Sequence, residues 1–158
     1  MKKVMMAFLE MLRKIEPNLR KIGILTLGSI PSLYTDIGLS KMIPLSYLGE
    51  GKKKIINFML SIFKASNGVL LIDEIENGIH YSVQKMWEIV SNLSKKYYVQ
   101  LFVTTHSADC INYLVEASKE KDIDFLFINL DRVKEKIVAK RYEKDAVELA
   151  LYTSWKMR

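Results

Sequence analysis

GVLLIDEIENGIH, residues 68–80, is the stretch on which the reading of this chain turns. Val69, Leu70, Leu71 and Ile72 form an unbroken aliphatic run. Such a run is too short for a helix and too uniformly apolar for a half-exposed strand, so it reads as a strand buried on both faces. It stops abruptly at Asp73 and Glu74, which brings two carboxylates to the carboxyl end of the strand. In open α/β sheets that edge is where ligands bind. Capping the next helix is the other ordinary use of two such acids, and the flanking sequence has to decide between the two.

Downstream, residues 81–96 carry Val83, Met86, Trp87, Val90 and Leu93 at helical spacing. Residues 98–104 (YVQLFVT) are a second strongly β-prone run, ending in Thr104, Thr105, His106 and Ser107. Ser107 suits the N-cap of a helix with Cys110, Ile111, Leu114 and Val115 on one face. Two strands joined by a helix of crossover length end on the same side of a parallel sheet. Asp73, Glu74 and His106 are therefore candidates to converge on one ligand.

Upstream lies SYLGEGKKKIINFMLSIFKAS, residues 46–66. Gly49 and Gly51 make a glycine-rich loop, and Ile55, Phe58, Met59, Ile62 and Phe63 continue it as an amphipathic helix to about Lys64. A helix N-terminus behind such a loop offers free N–H groups and a positive dipole end to a phosphate. Lys52, Lys53 and Lys54 oppose that dipole unless an anion sits there. A flexible loop with a solvated lysine face is the plainer alternative.

The N-terminal MKKVMMAFLEML reads as an amphipathic helix with Val4, Phe8, Leu12 and Ile15 at helical spacing and Pro17 beyond its end. Residues 21–27 and 32–37, punctuated by Gly28, Ser29 and Pro31, read as a β-hairpin. Residues 41–45 contain Pro44 and suit an edge or the end of a strand. In the tail, residues 124–130 and 136–142 read as strands and 144–155 as a helix, with Val147, Leu149, Ala150 and Leu151 as its apolar positions.

At 158 residues a single domain spanning 1–158 is expected. The net charge of +6 comes from dispersed lysines, which permits contact with phosphates or nucleic acid. Solvated helix faces account for most of them. Cys110 is the only cysteine, which excludes an internal disulfide and a thiolate zinc site. No run approaches a membrane span, and the N-terminal segment carries Glu10 and lacks a small-residue cleavage site. A cytoplasmic location is the default that follows.

Three motifs in order carry a resemblance: LGEG at residues 48–51, LLIDEIENGIH at 70–80 and TTHS at 104–107. Together, over roughly residues 32–130, the chain resembles the C-terminal half of an ATP-binding-cassette-class P-loop ATPase, of the prokaryotic AAA-type, OLD-like and SMC-related branch. The resemblance implies an α/β fold: a partial P-loop NTPase, its mostly parallel sheet flanked by helices, with an N-terminal helix and hairpin and a C-terminal strand pair plus helix. It implies ATP and Mg²⁺ as cofactors, with Asp73 as the metal carboxylate, Glu74 as the general base and His106 at the γ-phosphate. The loop of Gly49, Glu50 and Gly51 would reach a partner's nucleotide, with Ser46 standing in for the family's first signature serine, which is Gly49 here. Asn77 and His80 fall where the family's D-loop runs. No GxxxxGK[ST] occurs in the sequence, so the lysine and hydroxyl that hold the phosphates and Mg²⁺ must come from elsewhere.

The implied partner is a P-loop-bearing N-terminal half or a second ATPase subunit. A homodimer is one such arrangement, and the basic balance admits DNA. Two other readings stand beside this one. One is a non-catalytic dimerisation or regulatory module that binds protein or DNA. The other is a metal-dependent nuclease using Asp73, Glu74, Glu76 and His80, disfavoured because neighbouring strand residues point to opposite faces and no further acidic cluster completes a two-metal site.

Overall fold

The computed structural model describes residues 2–27, 29–79, 83–121 and 123–152. It divides into two compact units, Met1–Thr105 and His106–Arg158. The first opens with helix α1 (Lys2–Ile15), which stops short of Pro17. Strands β1 (Lys21–Leu27) and β2 (Ile30–Asp36) follow as an antiparallel hairpin, with Leu27 opposite Ile30. β2 starts earlier than the sequence suggests and includes Pro31. Strand β3 (Ile43–Pro44) reaches only Tyr34 and Thr35 of β2, so at Pro31 the outer edge is open and the missing N–H costs no ladder bond. The extended piece expected at residues 41–45 shrinks to those two residues, because the chain turns at Pro44 into a 3-10 turn at Leu45–Leu48.

Helices α2 (Glu50–Lys64) and α3 (Val83–Tyr97) form the core of this unit. Ile55, Ile56, Met59 and Ile62 are buried on α2, as are Met86, Trp87, Ile89, Val90 and Leu93 on α3. Both stripes follow the i, i+3, i+4 spacing that places residues on one helix face. Phe8, Phe63 and Tyr97 stack edge to face at 5.8 and 4.7 Å, joining α1 to the C-terminal ends of α2 and α3. Tyr81 and Ser82, expected to start α3, lie outside the described residues, as does His80.

Strands β4 (Val69–Ile72) and β5 (Gln100–Val103) pair in parallel, Ile72 opposite Val103. β5 is shorter than residues 98–104 because Tyr98 takes a left-handed turn at φ 54°. The expectation of a strand buried on both faces is wrong for β4: Ile72 is buried, but Val69 and Leu71 are 54% and 74% exposed, and Phe102 beside Leu71 is 53% exposed. An apolar run records that both faces suit burial; here the described residues cover only one. The sheet is also not mostly parallel. Among the described residues β4 and β5 are the parallel pair, and the other pairings are antiparallel.

The second unit contains α4 (Ala108–Lys121), the antiparallel hairpin β6 (Leu126–Val133) and β7 (Lys136–Glu143), and α5 (Lys144–Tyr152). Lys144 donates to the carbonyls of Ser118 (3.2 Å) and Ile123 (3.4 Å), which fixes the start of α5 to the end of α4. Val115, Ala117, Val147 and Ala150 are buried. Leu149, expected among the apolar positions of α5, is 65% exposed, and Trp155 lies outside the described residues.

Candidate nucleotide site

The carboxyl end of β4 carries the two acids, and the neighbouring strand end holds them. Thr104, directly after β5, donates its hydroxyl to the Asp73 carboxylate and accepts the Glu74 N–H at 2.9 Å. Its backbone continues the attachment: Thr104 N–H donates to the Ile72 carbonyl at 2.9 Å, and its own carbonyl accepts Ile75 N–H at 3.2 Å. Asp73 and Glu74 are exposed, whereas Ile75 and Ile79 are fully or almost fully buried. The turn after the acids is thus anchored in the core by two isoleucines while its polar residues face outward. Sequence reasoning gave Thr104 no individual role, although its place at the head of TTHS marked it.

Glu74 has φ 46°, a left-handed conformation that a non-glycine residue holds only when its surroundings enforce it. Asn77 N–H closes the turn on the Glu74 carbonyl at 3.0 Å, and the Asn77 amide reaches the Glu74 carboxylate at 3.5 Å. Lys54, in the second turn of α2, donates to the carbonyls of Glu74 (3.2 Å) and Asn77 (2.5 Å). The sequence marked Lys54 only as part of a lysine triplet that could meet an anion; its contact with the Glu74 turn was not legible, since its partners lie 20 and 23 residues away.

The glycine loop packs on the same turn. A Cβ added at Gly51 would sit 3.4 Å from the Gly78 carbonyl, so the first turn of α2 lies directly against residues 78 and 79. Gly49 has φ 95° and ψ 153°, a region essentially reserved for glycine. That backbone accounts for a glycine at position 49. Glu50 opens the helix, exposed and paired with Lys53 at 3.4 Å, and Ser46 is exposed in the 3-10 turn. The lysine triplet does not await an anion: Lys52 pairs with Glu16 at 2.6 Å, Lys53 with Glu50, and Lys54 with the two carbonyls. Lys52 holds the buried Glu16 carboxyl below its ordinary pKa, mainly through that hydrogen bond.

Asp73, Glu74, Asn77 and Gly51 are therefore gathered around one turn of the first unit. His106 is exposed and begins the second unit, two residues after Thr104 in sequence. Ser107 caps α4 as expected, accepting the Cys110 N–H at 3.2 Å. Among the described residues, no cluster of three or more His, Cys, Asp or Glu side chains forms a metal site of its own. An exposed carboxylate held by a hydroxyl suits Mg²⁺, which keeps waters and phosphates as most of its ligands. No helix among the described residues is long and apolar enough to cross a membrane.

The architecture has counterparts of known structure. A chain from a structural study of ATP-driven dimerization and DNA-stimulated activation of SMC ATPases superposes with a TM-score of 0.61, covering 100% of this chain and 99% of that one at 14% identity. The SmcHead bound to the C-winged helix domain of ScpA gives 0.56 over 92% of this chain and 43% of that one, also at 14% identity. The fold thus resembles that of the SMC ATPase head. Residues 9–111 match the AAA ATPase domain family AAA_15, and the chain belongs to that family. An ATP/GTP phosphatase of Helicobacter pylori is 32% identical over 117 residues, covering 70% of this chain and 30% of that protein. An uncharacterized protein of Methanocaldococcus jannaschii is 35% identical over 95 residues, covering 58% of this chain and 82% of its own length.

Proposed function

We propose that this chain supplies the acid pair, signature-type loop and switch histidine of a composite site that hydrolyses ATP, completed by a P-loop-bearing segment. The observation that carries this reading is the double attachment of Asp73 and Glu74 to Thr104, with the Gly49 to Gly51 loop packed on the same turn. Two acids that only capped a helix would not need to be fixed to the adjacent strand end.

The sequence has no GxxxxGK[ST], and the chain spans 30% of the Helicobacter relative and 43% of the SmcHead chain. The open apolar face of Val69, Leu71 and Phe102 supports a further segment packing there, whether from the same polypeptide or from another subunit. A homodimer of the completed head fits the SMC likeness. DNA is the weaker partner of the two, since Lys52, Lys53 and Lys54 are already engaged within the chain.

Phosphoryl transfer to water requires positioning and charge stabilisation more than covalent chemistry. Asp73 would hold Mg²⁺ together with the nucleotide's phosphates, and that ion, when bound, neutralises charge developing on them. Glu74 takes a proton from the attacking water as the water oxygen bonds to the γ-phosphorus and the bond to the β-phosphate oxygen breaks. His106 donates to a γ-phosphate oxygen. A general base contributes about 10²–10⁴-fold. Glu74→Gln in the assembled protein should therefore abolish most turnover and leave ATP binding intact, as read by steady-state hydrolysis and nucleotide titration. Full turnover in that variant would end the reading.

A non-catalytic regulatory module remains the second reading, favoured by the missing P-loop sequence. ATP hydrolysis that appears only when this chain and a P-loop-bearing segment are combined excludes it.

A further inference from the structure

We infer that Lys54 is a positioning residue of this site, locking the helix that carries the glycine loop to the turn that carries Glu74. The inference rests on the reading of Glu74 as the residue that activates water, and it deepens that reading. Lysine in the opening turns of a helix is locally unfavourable, because its charge opposes the dipole. Helix stability therefore does not account for Lys54; its tertiary acceptors do. Its ammonium donates to the carbonyls of Glu74 and Asn77, and it lies 5.6 Å from the centroid of the Phe58 ring one turn along. Hydrogen bonds from a charged donor are roughly twice as strong as neutral ones.

The two contacts matter because of where Glu74 sits in conformational space. A residue at φ 46° is held from both sides here: Thr104 fixes its N–H and Lys54 fixes its carbonyl. The Glu74 carbonyl also accepts the Asn77 N–H, so both of its lone pairs are used. Removing the ammonium frees one side of a strained residue, and the turn can then relax toward an ordinary conformation. Close packing of Gly51 on Gly78 makes the loop and the turn neighbours; Lys54 makes them move as one body. Engagement of a partner's nucleotide by the loop would then be coupled to the placement of Glu74.

The test uses Lys54→Met, which keeps the apolar stem, Lys54→Gln as a second uncharged variant, and Lys54→Arg, which restores donors. Backbone hydrogen exchange is measured on the 158-residue chain, and kcat and KM for ATP on the chain assembled with its P-loop-bearing segment. Loss of the ammonium should speed exchange at Asn77 and Ile79 about tenfold, with Val90 in α3 unchanged. It should lower kcat by about 10- to 100-fold at unchanged KM, as misplacement of a reacting group does. Arginine should recover a large part of both. Exchange and kcat at parental values in the Met and Gln variants, while Glu74→Gln is inactive, overturn the role of Lys54 and leave the catalytic reading standing. An active Glu74→Gln removes the catalytic reading and the positioning role together. If Lys54→Met also loses protection at Val90, Lys54→Gln carries the same comparison.

Discussion

The hydroxyl of Thr104 donates to the Asp73 carboxylate and accepts the N–H of Glu74, so one side chain at the end of β5 holds both acids at the end of β4. A hydroxyl can do both at once because it is a donor with acceptor lone pairs. The parallel register, with Ile72 opposite Val103, brings the next residues of the two strands side by side. Orientation of the acids is thereby tied to sheet pairing and not left to loop conformation.

Thr104→Val keeps the branched shape and removes both contacts. Turnover of the assembled ATPase should fall about 10- to 100-fold, and the Mg²⁺ concentration giving half-maximal rate should rise, with Thr104→Ser restoring both. Thr104 is exposed, so the loss of stability should stay near the usual 0.5–1.5 kcal/mol, roughly, of such hydrogen bonds. A magnesium titration of the ATPase rate and a urea melt measure the two effects. An unchanged Mg²⁺ dependence would show that the Thr104 contact does not orient the acids.

Glu74 offers a trade between stability and activity. A left-handed conformation costs a non-glycine residue about 1–2 kcal/mol, and glycine gives back about 0.5–1 kcal/mol in unfolded-state entropy. Glu74→Gly should accordingly stabilise the isolated chain by a few tenths to about 1 kcal/mol while removing hydrolysis in the assembled protein. Chemical denaturation of the parent and variant checks the sign. A destabilised variant would mean that the carboxylate contacts outweigh the backbone strain.

Much of this site was legible in the sequence, and the parts that were not share a cause. The strand running into Asp73 and Glu74, the second strand running into Thr104 and the helix between them follow from apolar and β-prone runs and from helical spacing, which local sequence encodes. Thr104's hydroxyl partners depend on strand register, and those of Lys54 on how α2 packs against the turn; neither is local. The left-handed Glu74 and Tyr98 were hidden because neither residue type favours that region. The uncovered face of Leu71 and Phe102 was hidden because an apolar run specifies what it prefers to bury and not which segment buries it. Gly49 is the converse case: its residue type is explained at once by the backbone, which takes a conformation essentially reserved for glycine.

Acid should weaken the first unit through Glu16. Its folded-state pKa is lowered, chiefly by the hydrogen bond from Lys52, so its stabilisation is complete above the ordinary carboxylate range and is lost as pH falls through the lowered value. Glu16→Gln should cost about 1–2 kcal/mol at pH 7 and flatten the decline in stability on the acid side. Lys52→Met should cost more, because it leaves a buried carboxylate without its cation. Urea unfolding at a series of pH values separates the two, and equal acid slopes in parent and Glu16→Gln would remove Glu16 from the account.

The open face of β4 and β5 separates folding from assembly. Val69, Leu71 and Phe102 gain little from the chain's own fold, since each is more than half exposed, so Leu71→Lys and Phe102→Lys should leave the stability of the isolated chain within about 0.5 kcal/mol. If a P-loop-bearing segment covers them, each lysine places a charge in an apolar contact, where the desolvation cost is several kcal/mol, roughly. Association measured by analytical ultracentrifugation, and the ATPase activity that depends on it, should both be lost. Ile128→Lys, on the exposed face of β6 in the second unit, serves as the comparison. Assembly unaffected by lysine at both 71 and 102 would mean that the completing segment docks on another surface, and the open face would then need a different explanation.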